Sequence, residues 1–262
     1  MDNRPVVFID SGIGGLPYCI DFHKKNPLEE ICYLADTENF PYGPRSKQEL
    51  SVILIELTKK LLEKINPKII VIACNTATIA ALSGLRFNFP QIPFVGTVPA
   101  IKSAAMTCSN KKIGVLGTER TIEEIRSLQL VDDTFEIHGI AAPELVEFIE
   151  RYFDEADETK KTEIAGKYIE LFRMENTGSI VLGCTHFLFL QDEFRKEAAP
   201  DIFVFDSIEG ITKRIEFLLD ENTGELRCGE DFLSKNRLLL TGTADSFWQN
   251  RAHSLGFIYE KL

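Results

Sequence analysis

The sequence predicts an α/β protein made of two related halves, each built on a mainly parallel sheet. Three observations carry this. Short apolar runs rich in β-branched residues alternate with longer amphipathic segments. One run, KIIVIAC (68–74), is apolar without a break, as a strand covered on both faces requires. Partway along the chain the pattern restarts. FIDSG aligns with VLGTE at an offset of 107 residues, and two strand-end cysteines, Cys74 and Cys184, align at an offset of 110.

The elements follow in order. VVFID (6–10) is a strand, and the glycine-rich turn DSGIGG leads into a helix that ends near residue 24. EICYLAD (30–36) is the second strand. KQELSVILIELTKKLLEKI (47–65) has apolar residues at helical spacing, with lysines near its end, where cations suit the helix dipole. After KIIVIAC come a helix, TATIAALSGLRF, and a strand, PFVGTV (93–98). The restart supplies a strand, KIGVLGT (112–118), a helix from Thr121 to Leu128, and a strand, FEIHGIA (135–141). APELVEFIERYF and KKTEIAGKYIELFRM are helical. SIVLGC (179–184) is a strand, FLFLQDEFRKEA a helix and DIFVFDS (201–207) a strand. The helix IEGITKRIEFLLDE precedes a strand, RLLLTGT (237–243), and a short terminal helix. No Pro- or Ser-rich linker separates the halves. The chain is expected to cross near residue 98 and return near 207. Residues 1–97 with 207–262 then form one discontinuous domain, and residues 98–206 form the other.

Composition narrows the function classes. The chain has 262 residues and a net charge of −11, an excess of carboxylates that repels nucleic acid and gives no reason to expect a membrane surface as partner. No apolar window reaches the ~18 residues of a transmembrane helix. The N-terminus, MDNRPVVFIDSG, runs straight into a strand without the apolar stretch of a signal peptide, so a cytoplasmic protein is expected. The six cysteines (Cys19, Cys32, Cys74, Cys108, Cys184 and Cys228) are scattered without a C-x-x-C pair. Neither a zinc site nor a thioredoxin motif is expected; the cysteines should be thiols, most of them packed in the core.

In open parallel sheets ligands sit beyond the carboxyl ends of the strands. Asp10, Cys74, Thr118 and Cys184 all lie at such ends. One strand-end cysteine taken alone reads as packing. Two in matching positions, each followed by a polar pair, read as chemistry. A thiol at a strand-to-helix junction feels the helix N-terminus, which favours thiolate, and the following N–H groups and hydroxyls make a carboxylate seat. If both thiols flank one carbon, one removes a proton and the other supplies one to the opposite face, inverting the centre. Near-attack contacts on both sides put the sulfurs about 7 Å apart, whereas a disulfide needs about 2 Å.

The remaining motifs leave choices open. DSGIGG (10–15) lacks G-x-G-x-x-G spacing, and Asp10 beside a phosphate would repel it. That aspartate suits a substrate ammonium or the Cys74 thiol. NFPYG (39–43) is either an ordinary loop or one whose backbone N–H groups bind a second carboxylate. His186 is either a structural hydrogen-bonder or a group tuning the neighbouring thiol.

At these residues the sequence resembles the glutamate racemases of the cofactor-independent aspartate/glutamate racemase superfamily. The matching stretches are DSGIGGL (10–16), YLADTENFPYG (33–43), ACNTAT (73–78), VGTVPA (95–100), IGVLGTERT (113–121), VLGCTHF (181–187) and Asp206-Ser207. The resemblance implies two flavodoxin-like domains with the active site in the cleft between them, and no cofactor or metal. It implies interconversion of L- and D-glutamate with Cys74 and Cys184 as the two acid/bases. Asp10 and His186 are then their respective helpers. It places Asp10, Ser11, Tyr42, Gly43, Asn75, Thr76, Thr118, Thr121, Thr185 and His186 on the substrate. Glu150 matches a family glutamate near the second thiol, although Ala142 stands where many members have cysteine. It further implies D-glutamate supply for peptidoglycan, hence cell shape, and a homodimer. Competing readings are a racemase for aspartate or a hydantoin, a pyridoxal enzyme, a two-lobed amino-acid-binding module without turnover, and a thiol redox protein.

Overall fold

The computed structural model describes residues 2–127, 134–222 and 236–262. The chain divides into two compact units, one formed by residues up to Thr97 with Ile208–Leu262, the other by Val98–Ser207. In chain order the first unit begins with β1 (Val6–Asp10), α1 (Leu16–Lys25), β2 (Ile31–Ala35), α2 (Lys47–Lys64), β3 (Ile69–Ile72), α3 (Asn75–Asn88) and β4 (Phe94–Gly96). The second unit contains α4 (Ile101–Thr107), β5 (Lys112–Gly117), α5 (Glu119–Ser127), β6 (Glu136–Ala141), α6 (Pro143–Arg151) and α7 (Glu158–Met174). It continues with β7 (Ser179–Gly183), a 3-10 helix (Thr185–Leu190), α8 (Gln191–Ala198) and β8 (Phe203–Phe205). The chain returns to the first unit through α9 (Ile208–Asn222), β9 (Arg237–Leu240), α10 (Ser246–Leu255) and β10 (Ile258–Lys261).

Both sheets are parallel throughout. The first has six strands in the order β10-β9-β2-β1-β3-β4, and the second has four in the order β6-β5-β7-β8. The sub-order β2-β1-β3-β4 of the first is the β6-β5-β7-β8 of the second, which is the strand order of flavodoxin-like folds. The registers agree as well: Ile9 pairs with Ile72, and Leu116 pairs with Leu182. These pairs reproduce the two offsets read in the sequence, so the weak similarity of letters is a repeat of the fold itself.

Burial explains the apolar runs. Every residue of β1, β2, β3 and β7 is buried. The first core packs α2 and α3 on one face of the sheet through Leu50, Leu54, Leu57, Leu61, Ala81 and Leu85. The second core includes Ile101, Ile113, Val115, Ile122 and Val181. Capping sets several boundaries. Ser46 and Glu49 form a reciprocal capping box at the start of α2, and Asp157 and Asp245 cap α7 and α10. Gly256, at φ 67°, ends α10 in the left-handed region.

Three elements depart from the sequence reading. The stretch after Cys184 is not one helix: Thr185–Leu190 is 3-10, and α8 begins only at Gln191. In that tighter winding residues three apart eclipse, and Thr185, Phe187, Leu188 and Leu190 are all buried. Helix α4 and strand β10 were not foreseen. α4 has seven residues, and β10 is a mostly exposed edge strand without an apolar run. The expected helix ending at Leu128 reaches that residue outside the described residues, as does Cys228. Among the described residues no helix is long and apolar enough to cross a membrane.

Candidate active site

In each unit the strand order reverses between two central strands, β1 and β3 in the first and β5 and β7 in the second. Loops leaving such a pair diverge and open a crevice at their carboxyl ends. In both units the cysteine stands directly there. Cys74 is the N-cap of α3 with φ −142° and ψ 123°, and Cys184 is the N-cap of the 3-10 helix with φ −134° and ψ 135°. Neither side chain caps its own helix. The two thiols therefore hold the same backbone position and conformation in two copies of one fold, and each meets the positive end of a helix.

The small residue before each cysteine has a packing cause. A Cβ on Gly15 would lie 2.7 Å from the Cβ of Ala73, so the turn after β1 presses directly on the residue preceding Cys74. A Cβ on Gly183 would meet Val115 Cγ1 at 3.1 Å and the Leu116 carbonyl at 3.2 Å. Gly15→Ala is expected to lower stability by about 1–3 kcal/mol and to displace the Asp10 turn. Thermal denaturation and a parallel activity assay check this.

In the first unit Asp10 is fully buried at the end of β1, and its Oδ1 accepts the Gly12 N–H at 2.9 Å and the Ser11 hydroxyl at 3.4 Å. The Tyr33 hydroxyl spans the turn, donating to the Gly12 carbonyl (2.8 Å) and accepting the Gly15 N–H (3.1 Å). Next to Asp10 in the sheet, the Ala73 N–H donates to the Ile9 carbonyl, which fixes where the chain emerges at Cys74. Asn75 and Thr76 are buried in the first turn of α3. Tyr42 is buried too, and its hydroxyl donates to Asp36 at 2.7 Å. Burial first, then the charge and hydrogen bond of Asp36, with smaller contributions from Cys74 and Asp10, push its phenol well above the usual range. It therefore stays neutral and a donor. Gly43, beside it, is partly exposed.

In the second unit His186 lies between two partners. Its Nδ1 is 3.7 Å from Cys184 Sγ, and its Nε2 is 2.5 Å from Glu150 Oε1 on α6. Burial opposes a charge on this ring. The hydrogen bonds to Cys184 and Glu150 and the charges of both outweigh it, so His186 holds its proton well above the ordinary value of 6.5. An imidazolium donates from both nitrogens, so it serves Glu150 on one side and faces the Cys184 sulfur on the other. Thr118 and Thr121 share a hydroxyl contact of 3.0 Å just beyond β5, and Thr185 is buried beside Cys184.

The other described cysteines differ. Burial pushes Cys32 up to about 12 and Cys19 well above its usual value, so both remain thiols. Cys108 donates to the Lys112 carbonyl at 3.1 Å. None of the five described cysteines is in a disulfide.

The model of the Asp/Glu/Hydantoin racemase family matches residues 23–214. The chain belongs to this family. A glutamate racemase of Shewanella sp. (strain ANA-3) is 33% identical over 242 residues, covering 90% of this chain and 87% of the relative. The structure of Escherichia coli glutamate racemase in complex with L-glutamate and the activator UDP-MurNAc-Ala superposes with a TM-score of 0.82. It is 27% identical and is matched over 99% of this chain and 98% of that one. The glutamate racemase of Francisella tularensis in complex with D-glutamate has a TM-score of 0.79 at 25% identity, over 100% and 97% of the two chains.

Within this family member, sequence reasoning assembled most of the strand-end groups but missed Asp36 and Tyr33. Both sit on or just beyond β2 and act through hydrogen bonds to segments far along the chain or across a turn, which no local pattern announces.

Proposed function

We infer that this protein is a glutamate racemase that interconverts the enantiomers by proton transfer at Cα between two cysteines, without a cofactor. The observation that carries the reading is the pair of cysteines in one N-cap conformation at equivalent strand ends of two repeated sheets. In the proposed reaction one thiolate takes the α-proton: the Cα–H bond breaks, an S–H bond forms, and the electron pair stays on Cα and its carboxylate. The other thiol then gives its proton to the opposite face and becomes the thiolate. The return reaction exchanges the roles.

Abstraction without an iminium sink requires fixed donors around the developing charge. The helix-start N–H groups and hydroxyls at Asn75, Thr76 and Thr185 supply that chemistry, with Thr118 and Thr121 as further hydroxyls. Asp10, with Ser11, serves either the substrate ammonium or Cys74. His186, paired with Glu150, stabilises the Cys184 thiolate. Because the Tyr42 side chain is bonded to Asp36, the Tyr42–Gly43 segment would bind the side-chain carboxylate through its backbone. The wider reading, which rests on the family resemblance of the sequence, is a cytoplasmic homodimer supplying D-glutamate for peptidoglycan.

The test is a substrate panel followed by circular dichroism, with no cofactor added. L- and D-glutamate should each decay to zero optical activity, and aspartate should not. Racemisation of aspartate in preference to glutamate would reassign the substrate, and tight glutamate binding without turnover would favour the binding-module reading.

A further inference from the structure

Asp36 is fully buried one residue past the end of β2, and no part of the reaction just described uses it. Its Oδ2 accepts the Tyr42 hydroxyl at 2.7 Å, and its Oδ1 accepts the Thr241 hydroxyl at 2.8 Å. The Asn39 amide reaches both oxygens at 3.0 Å. Its own backbone N–H donates to the Asp10 carbonyl at 2.8 Å. The carboxylate thus gathers two segments, the 39–43 loop and the exit of β9, and the backbone N–H of the same residue adds the end of β1.

The surrounding contacts reinforce the tie. Thr241 also accepts the Glu38 N–H at 3.0 Å, and Thr37 accepts the Gly242 N–H at 3.0 Å. A buried carboxylate is tolerated only where hydrogen bonds occupy its lone pairs, and here three side chains from two distant stretches do so. The loop bearing Tyr42 and Gly43 has its aromatic anchor drawn into the core, where Tyr42 belongs to the same buried cluster as Leu34, Leu50 and Ile72. The conformation of its backbone is therefore set from inside, by Asp36.

We propose that Asp36 is a positioning residue for substrate recognition, its carboxylate holding the Tyr42–Gly43 backbone in the arrangement that receives the substrate's side-chain carboxylate. This rests on the glutamate reading. Its side chain acts on binding and not on proton transfer, because the carboxylate bonds only Asn39, Tyr42 and Thr241. The strand β9 takes part through Thr241, although it carries no group assigned to the reaction.

Steady-state kinetics in both directions test this with Asp36→Asn, Tyr42→Phe, Thr241→Val and the double variant Asp36→Asn/Tyr42→Phe. KM for both enantiomers should rise about tenfold in Asp36→Asn, with kcat changed by less than about threefold. Tyr42→Phe should give a smaller rise in KM. The double variant should be no worse than Asp36→Asn alone, since both changes break one hydrogen bond. Thr241→Val, which removes one spoke from outside the loop, should raise KM about threefold; it and Tyr42→Phe decide the matter if Asp36→Asn does not fold. The proposal is overturned if KM stays at the wild-type value in the folded variants while kcat or the melting temperature falls, or if the two single effects add in the double variant. A wild-type protein that fails to racemise glutamate would instead refute the underlying reading.

Discussion

Cys74→Ser and Cys184→Ser will each lower kcat/KM for racemisation by about 10³-fold or more, in both directions. A serine hydroxyl keeps the shape of the site but neither ionises near neutral pH nor gives up a proton as readily as a thiol. The inversion needs both groups, one for each step, so neither direction escapes. The more discriminating expectation concerns what survives. Each variant keeps one working thiol, which can still take an α-proton and return one to the same face. In D₂O, Cys74→Ser should exchange the α-proton of one enantiomer without inverting it, and Cys184→Ser that of the other, as followed by proton NMR. Cys74→Ser, which leaves the Cys184–His186–Glu150 chain whole, should show the faster residual exchange. Equal loss of all exchange in one variant, with full racemisation in the other, would mean that a single thiol does the work.

Glu150→Gln is the second large effect, with kcat expected to fall about 10²-fold at little cost in KM. The carboxylate is one of the groups that hold the proton on His186 against burial. Without it the imidazole loses its proton at lower pH, and the alkaline limb of the rate profile moves to lower pH. The stability linkage has a definite sign. Folding raises the proton affinity of His186, so its contribution is fully present below the unfolded value of 6.5 and is lost as pH rises through the higher folded value. The wild type should therefore lose melting temperature over that rise, and Glu150→Gln should flatten the slope. A wild-type pH profile retained by Glu150→Gln would show that the pair is structural.

How much of this was legible depends on whether the cause is local. The strands that build both switch points read clearly because they are buried on both faces, and burial on both faces writes an unbroken apolar run. β10 did not, since an edge strand with one neighbour needs no such run. The 3-10 winding after Cys184 was hidden because its apolar spacing also suits an α-helix. At the site, Asp10, Cys74, Cys184 and His186 stood out as polar groups ending apolar runs. Glu150 came only from resemblance: its partner is 36 residues away, on another element. Asp36 lies within the 33–43 stretch, but nothing local marks it, because its bond to Thr241 joins positions 205 residues apart. Tyr42 was legible as important, but its side chain proves bonded to Asp36.

Where solvent hydrogen enters distinguishes two proton-transfer groups from one. Wild-type protein incubated with L-glutamate in D₂O, sampled early and separated by enantiomer, should give D-glutamate carrying deuterium at Cα while the recovered L-glutamate remains protiated. D-glutamate as substrate should give the mirror result. D-glutamate formed with its original hydrogen retained, or deuterium entering recovered substrate as fast as product, would contradict two opposed thiols.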